Sequence, residues 1–130
     1  MNVQAFVGDL DKFAKKTEIN IETVVRKIAF EIYIGVTKKT PVDTGRAKAN
    51  WNIGTGSIDF SINENATSTA QGSAGRLTEP RKGAGNKVIY ISNNLPYINA
   101  LENGSSQKAP NGMVTLTMNE INRMVRDVIR

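Results

Sequence analysis

The strongest constraint on the fold is an amphipathic stretch that runs from Ile21 to Lys39 and ends just before a proline. Asn20 is a suitable N-cap, because its side chain can accept a hydrogen bond from a backbone N–H of the first turn. Pro41 disfavours the helical conformation in the residue before it. The sequence therefore predicts a helix of about 28 Å, at 1.5 Å per residue. The apolar residues that recur at its helical spacings of three and four are Val24, Val25, Ile28, Ala29, Ile32 and Val36.

A shorter amphipathic helix is predicted before it, over residues 3–16. Gly8 weakens this helix by about 1 kcal/mol relative to alanine, so we expect it to depend on docking. Residues 1–17 are thus a candidate for a separately docking N-terminal helix within one domain of residues 1–130. Its apolar stripe consists of Val3, Phe6, Val7, Leu10, Phe13 and Ala14.

Alternating patterns predict three strands in the middle of the chain. Residues 47–53 alternate apolar and polar side chains, as expected of a strand with one buried face. Residues 58–62 alternate again after a Gly-Thr-Gly turn, so the two runs are interpreted as a hairpin. Residues 87–92 predict a third strand.

The C-terminal third predicts a short helix and then a longer one. Pro96 is a natural first residue for a helix through Glu102, and Asn103-Gly104 terminates it. The last segment has two interpretations, because its apolar residues alternate at first like a strand and also share one helical face. We favour a helix from near Asn111 and keep a strand-like start as the alternative.

The expected fold class is α+β. A small, mainly antiparallel sheet packs against the long helix of the N-terminal half and the C-terminal helix. Residues 63–86 are rich in Ser, Thr, Ala, Gly and Asn, and predict a long mobile loop with room for a short helix at 66–74. We prefer ordering of this loop on assembly, with permanent disorder or contact with DNA as the alternatives.

Composition argues against catalysis. The 130 residues include no histidine and no cysteine, which removes the commonest general base, thiolate chemistry and disulfides. The glycines near Lys82 lack the Walker phosphate-loop pattern. We predict no catalytic residue, no cofactor and no metal ligand, and no segment long enough to span a membrane. The chain is therefore not expected to be an enzyme.

The net positive charge of the chain leaves one alternative function open. The net charge is +5, from 17 basic and 12 acidic residues, and it is spread along the chain without a basic block. A small basic nucleic-acid-binding protein is the alternative hypothesis. The even spread of charge and the lack of an aromatic stacking platform or a recognition-helix pattern argue against it.

The most distinctive short motif connects the end of a predicted helix to the start of a predicted strand. Its sequence is Thr40-Pro41-Val42-Asp43-Thr44-Gly45-Arg46. Asp43 or Thr44 can cap local backbone amides while Gly45 takes a positive φ. The planar guanidinium group of Arg46 can bind a carboxylate through two parallel hydrogen bonds. Two further blocks follow at residues 93–97 and 101–105, ahead of Ala109-Pro110-Asn111-Gly112-Met113.

The order of these blocks resembles the neck and tail-completion proteins of long-tailed bacteriophages, the minor tail and head–tail joining family of the lambdoid tail protein Z. The resemblance runs from about Ile19 to the C-terminus and is strongest at residues 40–51 and 93–113. It implies a structural virion protein that completes the tail and joins it to the DNA-filled head.

The resemblance also implies assembly partners. They are further copies in a hexameric ring, the tail terminator and the head-closure proteins, with DNA passing through the channel without sequence-specific binding. The protein would be assembled in the host cytoplasm and located in the neck of the virion. The protein would then supply a binding surface within a ring and would catalyse no reaction.

Eleven residues are candidates for interface or structural roles. Glu102 is the predicted partner of Arg46, within one subunit or across a ring interface. Trp51 is expected to anchor the core, with an interface role as the alternative, and Tyr97 is expected to pack beneath the turn at Leu101 and Glu102. The full set is Asp43, Thr44, Gly45, Arg46, Lys48, Trp51, Tyr97, Glu102, Gly104, Pro110 and Met113.

Overall fold

The computed structural model describes residues 3–41, 46–62, 88–104 and 111–130, with only the backbone for Val3 and Arg46. Within these residues the chain forms five helices and one two-stranded antiparallel sheet, which confirms the predicted α+β class. The loop predicted at 63–86, with its short helix at 66–74, lies outside the described residues. The elements are α1 (Val3–Thr17), α2 (Ile21–Lys39), α3 (Arg46–Ala49), β1 (Trp51–Thr55), β2 (Ile89–Asn93), α4 (Ile98–Glu102) and α5 (Val114–Ile129).

The first two helices form as predicted. Asn20 caps α2, since its Oδ1 accepts a hydrogen bond of 2.8 Å from the backbone N–H of Glu22. Helix α1 ends at Thr17, and the next residue, Glu18, has a φ of 59°. The N–H of Ile19 then reaches back to the carbonyl of Ala14 at 3.1 Å, in the pattern of a left-handed helix end.

The strand predicted at 47–53 is wrong in its first half. Residues 46–49 form the short helix α3, and the N–H of Asn50 bonds to the carbonyl of Ala47 at 3.2 Å. Arginine, alanine and lysine are all strong helix formers, and small alanines make a weak strand pattern. The one-sided burial was also wrong, because Asn50 and Asn52 are buried along with Trp51 and Ile53.

The predicted hairpin between residues 47–53 and 58–62 is wrong as well. Strand β1 pairs instead with β2, the predicted third strand, with Trp51 opposite Asn93 and Ile53 opposite Ile91. Residues 58–62 form no strand. Side chains of the sheet, rather than a backbone ladder, bind the carbonyl groups of this segment.

The C-terminal segment is a helix, so the strand-like alternative is wrong. Helix α5 begins three residues after Asn111, because Gly112 adopts a φ of 82° that interrupts helical geometry before Val114. The short helix α4 begins two residues after Pro96 and ends at Asn103 and Gly104, as predicted.

Two buried clusters share α2. The first joins α1, α2 and α5, and the second joins α2 to the sheet and to the residue that precedes α5. Ile32 packs against both clusters, which makes α2 the central element of the described fold. The first cluster contains Phe6, Phe13, Ala14, Val24, Ile28, Ile121 and Val125, and the second contains Ala29, Tyr33, Val36, Trp51, Ile53 and Met113.

Candidate assembly interface

The carboxylate of Glu102 binds the N-terminus of α5. Its Oε1 accepts hydrogen bonds of 2.8 Å from the N–H groups of both Met113 and Val114. Its Oε2 accepts hydrogen bonds of 3.0 Å from the N–H and the hydroxyl of Thr115. The first N–H groups of a helix have no partner within the helix and carry partial positive charge, so a carboxylate satisfies both needs.

These hydrogen bonds also set the ionisation of Glu102. Partial burial raises the pKa of this carboxyl, but the hydrogen bonds from Val114, Met113 and Thr115 lower it further, and the net pKa is below its ordinary value. The charged form is the one that four donors stabilise. The contact therefore depends on an ionised Glu102.

Gly112 makes this close approach possible. Its φ is 82°, and a Cβ atom at this position would lie 2.5 Å from the backbone oxygen of Glu102 and 2.7 Å from its Oε2. A side chain would thus collide with both the backbone and the carboxylate of Glu102.

Sequence reasoning missed this role of Glu102. Met113 occupies the N-cap position of α5 without a capping side chain, and the first turn of α5 contains no acidic residue. A helix start without a local cap was the available signal, because its N–H groups then need an acceptor from elsewhere in the chain. Met113 itself is fully buried, in the cluster that contains Trp51.

The predicted pairing of Arg46 with Glu102 stays a prediction, because the side chain of Arg46 lies outside what the structure describes. The backbone of Arg46 opens α3, and Lys48 in the same helix is half-buried. The remaining candidates of the two motifs, Asp43, Thr44, Gly45 and Pro110, also lie outside the described residues.

Trp51 joins the end of α2 to the start of β1. Its indole Nε1 donates a hydrogen bond of 2.8 Å to the hydroxyl of Thr40, which in turn donates to the carbonyl of Val36 at 2.6 Å. Trp51 is 4% exposed. Its indole ring lies in the buried cluster that contains Ile53 and Met113.

The residues around α4 are more exposed than the core. Tyr97 is 39% exposed, and its expected packing beneath the turn at Leu101 and Glu102 stays a prediction. Gly104 has a φ of 88°, and its N–H bonds to the carbonyl of Leu101 at 3.1 Å. This left-handed residue suits glycine and ends α4.

Residues 57–62, which we call the surface segment, lie across the outer face of the sheet. Asn94 Nδ2 and Ser92 Oγ donate to the carbonyl of Asp59 at 2.8 and 3.0 Å. Asn52 Nδ2 donates to the carbonyl of Ser61 at 2.9 Å. Polar side chains from both strands therefore hold this segment in place.

The apolar side chains of the surface segment are exposed to solvent. Ile58 and Ile62 are each 40% exposed, and Phe60 is 73% exposed. The alternating pattern had predicted the second strand of a hairpin. In the structure these residues form no strand, and all three apolar side chains are exposed.

A second exposed apolar pair lies on α2. Phe30 and Ile34 are four residues apart on one helical face and are 37% and 39% exposed. Lys27 and Lys38, three and four residues beyond them, are exposed on the same side of the helix. We call these four residues the outer α2 face.

Charges elsewhere are distributed over several ion pairs. Lys39 contacts Glu120 at 2.8 Å and Arg126 contacts Asp9 at 3.5 Å, linking α5 to α2 and to α1. Among the described residues there is no group of acidic side chains arranged to hold a metal ion. In the same part of the chain, no helix has the length and apolar character needed to cross a membrane.

Comparison with protein families shows which family the chain belongs to. The family model described as "Bacteriophage HK97-gp10, putative tail-component" matches residues 4–104 of the 130. The chain belongs to the HK97 gp10-like family of bacteriophage tail components. Comparisons with curated proteins and with solved structures found no match.

The HK97 gp10-like match confirms the predicted relationship to phage tail proteins. It covers α1 to α4, both strands and Glu102, and it ends before α5. Glu102 therefore lies at the end of the HK97 gp10-like region and holds the helix that follows this region.

Proposed function

We propose that this HK97 gp10-like chain is a structural protein of the virion neck. It completes the tail and joins it to the DNA-filled head as a ring of identical subunits, six in number, around the DNA channel. It performs no chemical reaction. Its partners are the tail terminator on one side and the head-closure proteins on the other.

The match of residues 4–104 to a family of tail components is the observation that carries this proposal. The surface of the chain supports it, because a subunit that must bind neighbours needs apolar side chains that its own core does not use. The exposed Phe60 and the pair Phe30 and Ile34 meet that requirement.

DNA is proposed to pass through the ring without base-specific contacts. A net charge of +5 suits a channel that contains a polyanion, since basic side chains attract phosphates regardless of sequence. A monomer that bound duplex DNA tightly, with a steep salt dependence, would instead favour the nucleic-acid-binding alternative.

Disruption of the gene in the phage tests the proposal. Electron microscopy of the lysate should show DNA-filled heads and complete-length tails that are separate from one another. A plasmid copy of the wild-type gene should restore joined particles. Joined, infectious particles in the absence of the protein, or a lysate without tails, would contradict a joining function.

A further inference from the structure

Two asparagine–glycine dipeptides lie between α4 and α5, one directly after α4 and one just before α5. They are Asn103-Gly104 and Asn111-Gly112. Both asparagines are exposed, and the two glycines have positive φ angles of 88° and 82°. The two sites therefore share their residue types and the sign of φ at glycine, and they differ in what the glycine nitrogen contacts.

An asparagine that precedes glycine can lose its side-chain amide without an enzyme. The backbone nitrogen of the glycine gives up its proton to hydroxide and attacks the side-chain carbonyl carbon, Cγ, of the asparagine. A bond forms between this nitrogen and Cγ, while the bond from Cγ to the side-chain nitrogen breaks and that nitrogen leaves as ammonia. The product is a five-membered succinimide. Glycine favours this step because it has no Cβ atom to hinder the approach.

Water then opens the succinimide at either of its two carbonyl carbons. Cleavage between Cγ and the glycine nitrogen gives aspartate in a normal backbone. Cleavage between the main-chain carbonyl carbon and the glycine nitrogen gives isoaspartate, whose backbone runs through the side chain and is longer by one methylene group. The reaction consumes water and releases ammonia, so it needs no oxidant, reductant or cofactor.

The end of α4 protects the first dipeptide. The N–H of Gly104 donates a hydrogen bond of 3.1 Å to the carbonyl of Leu101, and the N–H of Asn103 donates one of 3.0 Å to the carbonyl of Asn99. The nitrogen of Gly104 can attack only after its own hydrogen bond breaks. Local opening of this kind costs free energy, so folding should slow the reaction at Asn103.

The second dipeptide lacks this protection. Among the residues that the structure describes, neither the N–H of Gly112 nor the side chain of Asn111 has a hydrogen-bond partner. Asn111 lies in a turn ahead of α5, outside any helical hydrogen bond. Gly112 is buried beside Glu102, whereas Asn111, which carries the reacting carbon, is exposed.

We propose that Asn111-Gly112 is a site of spontaneous deamidation in the folded protein and reacts much faster there than Asn103-Gly104. The unbonded N–H of Gly112 and the exposed side chain of Asn111 support this assignment. The proposal is independent of the neck function, because the reaction requires only water and the folded chain.

Isoaspartate at this position would weaken the cap of α5. Its extra methylene group enters the backbone directly before Gly112, where a Cβ atom would already lie 2.5 Å from the backbone oxygen of Glu102. The next residue, Met113, is fully buried and donates its N–H to Glu102. Because neither residue has room to shift, the longer backbone should displace the N–H groups that Glu102 binds.

Peptide mapping of aged protein tests the proposal. The full chain is kept in warm, mildly alkaline buffer, with a parallel sample in concentrated urea. Trypsin cleaves after Lys108, so the two dipeptides lie on different peptides, and tandem mass spectrometry locates each replacement of NH₂ by OH. The two sites should react at similar rates in urea. In the folded sample, Asn111 should react several-fold faster than Asn103.

Asn111→Gln is the matched control, because the longer side chain would have to close a less favourable six-membered ring. It should remove the fast reaction and leave the rate at Asn103 unchanged. Two results would overturn the proposal. One is a rate at Asn103 that equals or exceeds the rate at Asn111 in the folded protein. The other is an Asn111 that stays intact in the folded sample while the urea sample reacts.

The effect on α5 is measured on the isoaspartate product after chromatographic separation. This product should unfold at a lower urea concentration than Asn111→Asp, which carries the same charge on a normal backbone. Equal urea midpoints would overturn the proposed weakening of the cap.

Discussion

The carboxylate of Glu102 lies 2.8 Å from the backbone nitrogen of Met113, so the last residue of α4 caps the first turn of α5 across ten intervening residues. The contact links α5, which packs on α1 and α2, to the buried cluster that contains Trp51 and Met113. A charge-assisted hydrogen bond of this kind is stronger than one between neutral groups.

Glu102→Ala should destabilise the fold by about 1–2 kcal/mol, as loss of an N-cap does elsewhere. Glu102→Gln should cost less, because the amide keeps one acceptor oxygen but loses the charge. Urea unfolding measures both. Glu120→Gln is the control, since Glu120 makes an exposed ion pair worth about 0–1 kcal/mol. Equal effects of Glu102→Ala and Glu120→Gln would contradict the capping role.

The stability from Glu102 should also depend on pH. Its folded-state pKa is lowered from the ordinary value of 4.5, so its contribution is complete above that value. The contribution is lost as pH falls through the lowered folded-state pKa, because the unfolded state then binds the proton more readily. Urea midpoints of the wild type and Glu102→Gln should therefore converge in acid. A constant difference down to the acid limit of folding would show that the charge does not matter.

Gly112→Ala should be strongly destabilising, by more than about 1 kcal/mol, because it places a Cβ atom 2.5 Å from the Glu102 backbone oxygen at a positive φ. Gly8→Ala is a matched control in α1, where a Cβ atom meets nothing within 4 Å. Alanine there should stabilise the helix by about 1 kcal/mol. Thermal unfolding of both variants checks the contrast, and effects of the same sign would contradict it.

Gly35 and Thr117 should be energetically coupled at the crossing of α2 and α5. A Cβ atom at Gly35 would lie 2.5 Å from Thr117 Cγ2, so Gly35→Ala should destabilise despite its better helix propensity. Thr117→Ala removes the obstructing atoms. A double-mutant cycle by urea unfolding should therefore show the double variant to be more stable than the sum of the single effects, by at least about 0.5 kcal/mol. Additive effects would mean that α2 and α5 can move apart at Gly35 without a loss of stability.

Trp51→Ala should cost roughly 3–5 kcal/mol, as expected for loss of a buried aromatic side chain. Trp51→Phe should cost less, since a smaller aromatic ring still fills part of the site, although the hydrogen bond to Thr40 is lost. Trp51 is the single tryptophan, so native fluorescence reports on this site alone. A blue-shifted emission maximum that moves to the red on unfolding is expected. Native emission at the wavelength of free tryptophan would contradict its burial.

Local patterns were sufficient to predict α1, α2, α4 and α5 and the α+β class, but not α3. Asn20 and Pro41 lie beside α2 in sequence, and helical hydrogen bonds join residues only four apart. The stripe of α1 was predicted for the same reason. Capping residues and apolar stripes therefore predicted these helices, because both the patterns and the helical hydrogen bonds involve residues that are close in sequence.

The pairing of β1 and the capping of α5 could not be predicted in this way. Residues 58–62 have the alternation of a strand, but β1 pairs with β2, which begins more than thirty residues after β1 ends. The choice depends on Asn52, Ser92 and Asn94, whose amides and hydroxyl bind the segment only after the sheet exists. Glu102 likewise reaches α5 only in the folded chain.

The location of the protein in the virion tests the central claim most directly. Cryo-electron microscopy of the intact phage should show copies of this chain as a closed ring between the tail tube and the head. Purified virions that lack the protein, or that carry it away from the junction of head and tail, would contradict the claim.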